Sequence, residues 1–169
     1  DFQGLEPEEA SYIARWDGTQ WRTVGVGLAE AVSNLRATED ALYAVAGGDL
    51  HRWDGTSWTL LGEPSLEHGD DGQIASVAVE GGRVFVAGAF HWIGDDPFPG
   101  SAVWDETAGQ WQGIEDTSGR GLDGSVLAAS AGAAGAFVAG QFTTNGDESV
   151  VGIARWNGDE WSPVGTRLA

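Results

Sequence analysis

The side chains with chemistry to offer in this sequence are three histidines, a set of acidic pairs and one unmatched tryptophan. His51, His68 and His91 lie far apart, cysteine is absent, and neither His-Glu-x-x-His nor Gly-x-Ser-x-Gly occurs. The signatures of a zinc hydrolase or a serine nucleophile are therefore missing. Acidic pairs recur at Glu8-Glu9, Asp95-Asp96 and Asp147-Glu148. Carboxylates on neighbouring loops, with carbonyls and water, could hold Ca²⁺, so Asp95, Asp96, Asp147 and Glu148 are the candidate ligands. No Asp-x-Asp-x-Asp-Gly loop is present, and a solvated acidic rim explains the same residues. No other cofactor is implied. Glu67, His68, Asp70 and Asp71 form a second cluster that reads as a surface turn. Trp92 stands in the loop Phe90-His91-Trp92-Ile93-Gly94-Asp95-Asp96 and has no counterpart elsewhere. That makes Trp92, His91, Asp95 and Asp96 the candidate contacts for a ligand or partner. Gly119-Arg120-Gly121-Leu122-Asp123-Gly124 has the form of a dinucleotide fingerprint, but that chemistry needs a strand before it and a helix after it. Here it falls on a connection.

Charge narrows the field further. The 169 residues carry 26 acidic side chains against eight basic ones, all Arg, for a formal net charge of −18. Such a chain does not suit nucleic acid, whose phosphates demand a basic patch, or an anionic membrane surface. No apolar run approaches the roughly 18 residues of a membrane-spanning helix. Nine Trp and six Phe in a chain that is 41% hydrophobic require a core, so this is not a disordered acidic tail. The chain opens at Asp1 without Met or an apolar leader, as expected of a processed, trimmed or partial product.

Internal repetition organises these residues. Ile13-Ala14-Arg15-Trp16-Asp17-Gly18-Thr19-Gln20-Trp21 recurs as Leu50-His51-Arg52-Trp53-Asp54-Gly55-Thr56-Ser57-Trp58. It returns as Ala102-Val103-Trp104-Asp105 leading to Trp111, and as Ile153-Ala154-Arg155-Trp156-Asn157-Gly158-Asp159-Glu160-Trp161. A second motif precedes three copies: Leu42-Tyr43-Ala44-Val45-Ala46-Gly47, Val84-Phe85-Val86-Ala87-Gly88 and Ala136-Phe137-Val138-Ala139-Gly140. From Gly88 to Trp104 and from Gly140 to Trp156 is 16 residues, but from Gly47 to Trp53 only 6, so the second copy lacks a ten-residue loop. Phe2, Phe90 and Phe142 each stand 14 residues before a first Trp. Each repeat reads as four short strands, with the Asp-Gly turn closing a tight hairpin between the last two. Four strands per repeat, with Gly and aromatics at fixed offsets, predict an all-β chain of propeller blades. The Ala-rich segment from Ala128 to Ala136 is expected to be a strand connection. The paired Trp16/Trp21, Trp53/Trp58, Trp104/Trp111 and Trp156/Trp161 are expected to pack between adjacent blades. Arg15, Arg52 and Arg155 are expected to pair with acids or stack on indoles.

The order of these motifs resembles the kelch repeat. It resembles still more the Trp-Asp-Gly propeller repeats of secreted bacterial proteins and of the fungal cortical cell-polarity marker family, above all at Phe142-Thr143-Thr144-Asn145-Gly146 and Gly152 to Gly158. The chain departs from kelch repeats in carrying Trp, not Tyr, at 16, 53, 104 and 156. The resemblance implies an extracellular or cell-surface protein with a scaffold or adhesion role. In the kelch-like phase the chain holds a half-blade (1–27) and three blades at about 28–63, 73–114 and 122–166, roughly three and a half in all. The ring would then be completed by the remainder of a longer polypeptide or by a protein partner. A non-enzymatic interaction scaffold is the expected function, with a glycan-binding propeller as the alternative and a fragment of a secreted hydrolase or lyase behind it. First strands would line a central channel, making Ser33, Asn34, Gln73 and Ser76 its nearest polar residues. None is charged, so acid–base catalysis is not expected there.

Overall fold

A computed structural model describes residues 12–66, 70–114, 122, 124–145, 148–157 and 161–165, with backbone alone at 144, 145, 148 and 149. The described residues form strands and turns and no helix. β1 (Ala14–Trp16) and β2 (Trp21–Thr23) make a two-stranded hairpin. β3 (Val32–Ala37), β4 (Leu42–Ala46), β5 (Asp49–Trp53) and β6 (Trp58–Gly62) make the first four-stranded antiparallel meander. β7 (Pro64–Ser65) follows, then β8 (Gln73–Glu80), β9 (Arg83–Ala89), β10 (Trp92–Ile93), β11 (Asp96–Pro97), β12 (Ser101–Asp105) and β13 (Gln110–Gly113). Of these, β8, β9, β12 and β13 form the second meander, and β11, β10 and β7 a small side sheet. β14 (Ser125–Gly132), β15 (Gly135–Gln141), β16 (Thr144–Asn145), β17 (Glu148–Ser149), β18 (Ile153–Trp156) and β19 (Trp161–Pro163) complete the order. The third meander is β14-β15-β18-β19, with β16 and β17 as a separate hairpin.

One expectation is corrected. Ala128 to Ala136 is not a connection: it runs along β14, turns at Ala133-Ala134 and enters β15, with Ala128 paired to Ala139 and Gly132 to Gly135. The ladder to β15 overrides the poor strand propensity of Ala and Gly.

The second-strand glycines follow from a device that repeats in every meander. The first strand bulges between Val32 and Asn34, between Ile74 and Ser76, and between Val126 and Ala128. Opposite the last two bulges stand Gly88 and Gly140, where an added Cβ would run into the carbonyl oxygens of Gln73 and Ser125. In the first meander the same register position is Ala46. Gly47 instead joins Gly48 in a two-residue turn between β4 and β5, both at positive φ (64° and 105°), the backbone that a tight hairpin demands. This is the direct connection left by the missing ten-residue loop.

The sheets stack in chain order, so that the first and second meanders each have one face on their predecessor and one on their successor. Ile13 and Val24 of the first hairpin pack with Ala44 and Ala46. Tyr43, Val45 and Leu50 pack with Ile74, Val84, Val86 and Ala102. Phe85, Ala87, Val103 and Ile114 pack with Val126, Ala136, Val138 and Ala154. Strands covered on both faces lose the polar alternation of a half-exposed strand, which explains the unbroken apolar runs of β4 and β9.

Candidate functional site

Each Trp-pair hairpin places its two indoles directly opposite one another. The pairs Trp16/Trp21, Trp53/Trp58, Trp104/Trp111 and Trp156/Trp161 have ring centroids 5.6, 5.5, 5.5 and 5.4 Å apart, tilted or edge-on, the geometry aromatic quadrupoles prefer. The second Trp also ties its sheet to the one before. Trp58, Trp111 and Trp161 donate from Nε1 to the carbonyls of Val24, Leu61 and Ile114, each at 2.9 Å. The acceptor always lies three residues after the second Trp of the preceding copy. One residue further on, Gly25 leaves room for Trp53 and Gly62 for Trp111 and Ile93, since a Cβ there would fall within 3 Å of those rings or side chains. The expected burial between neighbours does not extend to the first pair: Trp16 and Trp21 are 52% and 37% exposed, against 8% and 2% for Trp156 and Trp161. No sheet among the described residues precedes them.

The aspartate after each first Trp shapes the turn. Asp17, Asp54 and Asp105 accept through Oδ1 from the backbone N–H groups two and three residues on, at 2.8–3.0 Å. These bonds hold all three carboxyls below the usual carboxylate range, Asp54 at about 2; for Asp17 the largest cause is the Arg22 guanidinium at 2.9 Å. Arg52 donates from Nε to both carboxylate oxygens of Glu106 at 3.1 Å, and Trp104 Nε1 donates to Glu106 Oε1. Tyr43 completes this bridge between the first and second meanders. Its phenol is pushed up to about 12, chiefly by burial and then by hydrogen bonding to Glu106. Arg155 donates to the Ala134 carbonyl at 2.7 Å. A titratable group the sequence reading missed lies by the β4–β5 turn. Burial and the charges of Glu63 and Asp71 push the Asp49 carboxyl up, and burial pushes the His51 imidazole down.

The candidate contact residues cluster on the β10–β11 hairpin. It is held from beneath by Phe90, Ile93 and Phe98, all buried, and from the side by β7, through Trp92↔Ser65, Ile93↔Pro64 and His91 N–H to the Ser65 carbonyl at 2.8 Å. Gly94, at φ 61°, makes the turn. His91, Trp92, Asp95 and Asp96 are all exposed on this braced hairpin. His91 also lines a cleft of about 280 Å³ with Leu66, Phe90, Pro99, Leu122 and Ser125.

Other candidates are dispersed. Asp147 lies outside the described residues, as do Glu8, Glu9, Glu67, His68 and most of the segment 119–124; Glu148 is described only as backbone in β17. Among the described residues no three His, Asp or Glu side chains come together to hold a metal ion. Asp95 and Asp96 stand as two carboxylates at an exposed tip, and the side chains of the other two Ca²⁺ candidates, Asp147 and Glu148, lie outside the described residues. Of the supposed channel residues, Ser33 and Gln73 are exposed. Ser76 is buried and accepts from Ala129 N–H at 2.9 Å, joining β8 to β14. Asn34 holds the equivalent place after its bulge, and its Oδ1 is buried without a hydrogen bond.

No family model and no curated protein matches the sequence. The crystal structure of the computationally designed Ika8 protein is similar in fold, with a TM-score of 0.52 and 18% identity over 86% of this chain and 46% of that one. The chain thus spans about half the length of that protein. The computationally designed Ika4 protein aligns at a TM-score of 0.36 and 16% identity, over 79% of this chain and 98% of its own.

Proposed function

We propose that this chain is a segment of a β-propeller, with three blades and a half-blade, that works as a non-enzymatic scaffold outside the cell or on its surface. Its blades present braced loops to a protein partner. The observation that carries the reading is the stack itself. Three meanders of four strands follow one another face to face, each tied to its predecessor by the same indole-to-carbonyl bond. Stacked repeats of this kind bury a continuous core and offer their connecting loops for recognition. The β10–β11 hairpin is the loop best built for it, because buried Phe90, Ile93 and Phe98 fix a tip that exposes Trp92 and His91. An aromatic anchor on a pre-organised loop is the usual centre of a protein contact.

The same exposed Trp92 supports a second reading, a lectin in which the indole stacks on a sugar ring. A glycan array run with the natural chain and with Trp92→Ala separates the two. The scaffold reading expects no saturable sugar binding by either. Saturable binding to one sugar class that disappears in Trp92→Ala would hand the site to the lectin.

A further inference from the structure

One junction inside the stack is closed by a carboxylate, and the next is open. Between the first and second meanders, Glu106 accepts from Arg52 Nε on both oxygens at 3.1 Å and from Trp104 Nε1 on one, beside Tyr43. Between the second and third meanders every polar member of that group is replaced. Phe85 stands where Tyr43 stands, and Val103 where Arg52 stands. Two places after the first Trp the second copy has Glu106 and the fourth has Gly158, so this position supplies no carboxylate. A cavity of about 480 Å³ opens there, lined by Phe85, Trp156 and the β8–β9 and β14–β15 turns.

Donors meet at this cavity without an acceptor between them. Arg83 and Arg155 both line it. Arg155 spends Nε on the Ala134 carbonyl at 2.7 Å, and among the described residues no carboxylate lies within 4 Å of either guanidinium. Glu80 shares the lining and Asp105 faces Arg83 across the ladder, but neither closes an ion pair. Trp156, the counterpart of Trp104, has no acceptor for its Nε1 among the described residues. In a chain with 26 acidic residues against eight arginines, two arginines left unpaired on one cavity are conspicuous; Arg22 and Arg52 are held by Asp17 and Glu106.

We propose that this cavity binds a small carboxylate with a compact apolar body. Its carboxylate takes the part that Glu106 plays one junction earlier and meets Arg83 and Arg155, while the body lies against Phe85 and Trp156. The planar guanidinium matches a carboxylate in shape and charge, and the volume falls in the range of small-molecule sites, roughly 300–1,000 Å³. The net charge of −18 repels anions from the rest of the surface, which confines such binding to the place where cations converge.

Benzoate is the probe, with benzamide as its neutral counterpart, each added to the 169-residue chain and followed in nitrogen–proton spectra. Benzoate is expected to give saturable shifts at the Arg83 and Arg155 Nε–H groups and at the Gly132 and Gly135 amides. Benzamide at equal concentration is expected to give none. Arg83→Gln and Arg155→Gln should each weaken binding by about tenfold or more, as loss of a charge-assisted hydrogen bond does. Gly132→Leu tests space instead of charge. A Cβ at this lining position meets no heavy atom within 4 Å, so the larger side chain is accommodated, and binding is expected to be lost with both arginines in place. The absence of saturable shifts in the natural chain overturns the proposal. So does an equal response to benzamide, displacement of benzoate by an equal concentration of inorganic phosphate, or binding that all three variants leave unchanged.

Discussion

β9 and β15 hold nearly the same sequence, Val84-Phe85-Val86-Ala87-Gly88 against Ala136-Phe137-Val138-Ala139-Gly140, but live in different surroundings. All five residues of the first are buried. In the second, only Ala136 and Val138 are buried, while Phe137 and Ala139 on the other face are half-buried. The ladders are alike, with Val84 and Ala136 each opposite the first Trp of their hairpin. The difference is therefore not in the strand but in the neighbour: among the described residues, β9 has a sheet on both sides and β15 on one. Burial here is a property of position in the stack. The four Trp pairs show the same from the other end, running from exposed at Trp16 to buried at Trp161.

The most forceful way to break this comparison is to truncate the two phenylalanines. Phe85→Ala opens a cavity between two sheets and is expected to lower unfolding free energy by about 3–5 kcal/mol, whereas Phe137→Ala should cost about 1–2 kcal/mol. Urea unfolding of the dilute chain reads both. Equal losses would mean that β15 is covered on both faces.

The indoles sharpen the same contrast. Trp161→Phe keeps most of the apolar volume but strands the Ile114 carbonyl, whose partner is a fully buried N–H; a loss of about 1–3 kcal/mol is expected. Trp16→Phe, at an exposed ring, should stay within about 0.5 kcal/mol. A large effect at Trp16 and a small one at Trp161 would reverse the order of the stack.

Much of this was legible in the sequence. Trp pairs spaced by an Asp-led turn announce hairpins, since Asp closes the loop through its carboxylate, and the recurring Val-Ala-Gly run announces a buried strand. The all-β class and the four hairpins follow from these residues alone. The segment of β10 and β11 was visible as a loop whose Trp92 has no counterpart in the other copies, though not as a hairpin. Other features left no local mark. The bulge in each first strand falls on Ser33, Ala75 and Leu127, three residues with nothing in common, and shows only through the glycine opposite it in the second and third meanders. Arg52 and Glu106 meet across 54 residues, between two sheets, and no spacing rule links them. The strand through Ala128 was hidden because Ala and Gly have little strand propensity of their own.

That bridge between sheets offers a pH test. Tyr43 sits in it with its phenol held near 12, above the ordinary 10.0, by burial first and the Glu106 hydrogen bond second. A group whose folded pKa is raised contributes stability that is complete below the unfolded value and is lost as pH rises through the folded one. The window is therefore between about pH 10 and 12. Glu106→Gln removes the negative charge and weakens the acceptor, so tyrosinate absorbance should show Tyr43 titrating lower, and the pH window over which stability is lost should shorten from its upper end. An unchanged titration would mean that burial alone sets it. In the end sheet the place of Tyr43 is taken by Phe137, and no such alkaline limb is expected from that sheet.

The smallest effect concerns the turn. Asp54 accepts two backbone N–H groups at 2.8 Å, and its carboxyl is lowered from 3.8 to about 2. A depressed carboxyl contributes stability that is present above the unfolded pKa and is lost as pH falls through the folded one, here between about pH 4 and 2. The fourth repeat has Asn157 at this place, a residue that can cap the same turn without titrating. Asp54→Asn should accordingly leave stability at neutral pH nearly unchanged while flattening the acid limb, because one proton fewer is taken up on unfolding. Thermal melts stepped from pH 5 to pH 2 would read this directly. A loss at pH 7 as large as the loss at pH 2 would mean that charge, and not the acceptor oxygen, holds the turn, and Asn157 would then mark a weaker hairpin in the end sheet than in the interior ones.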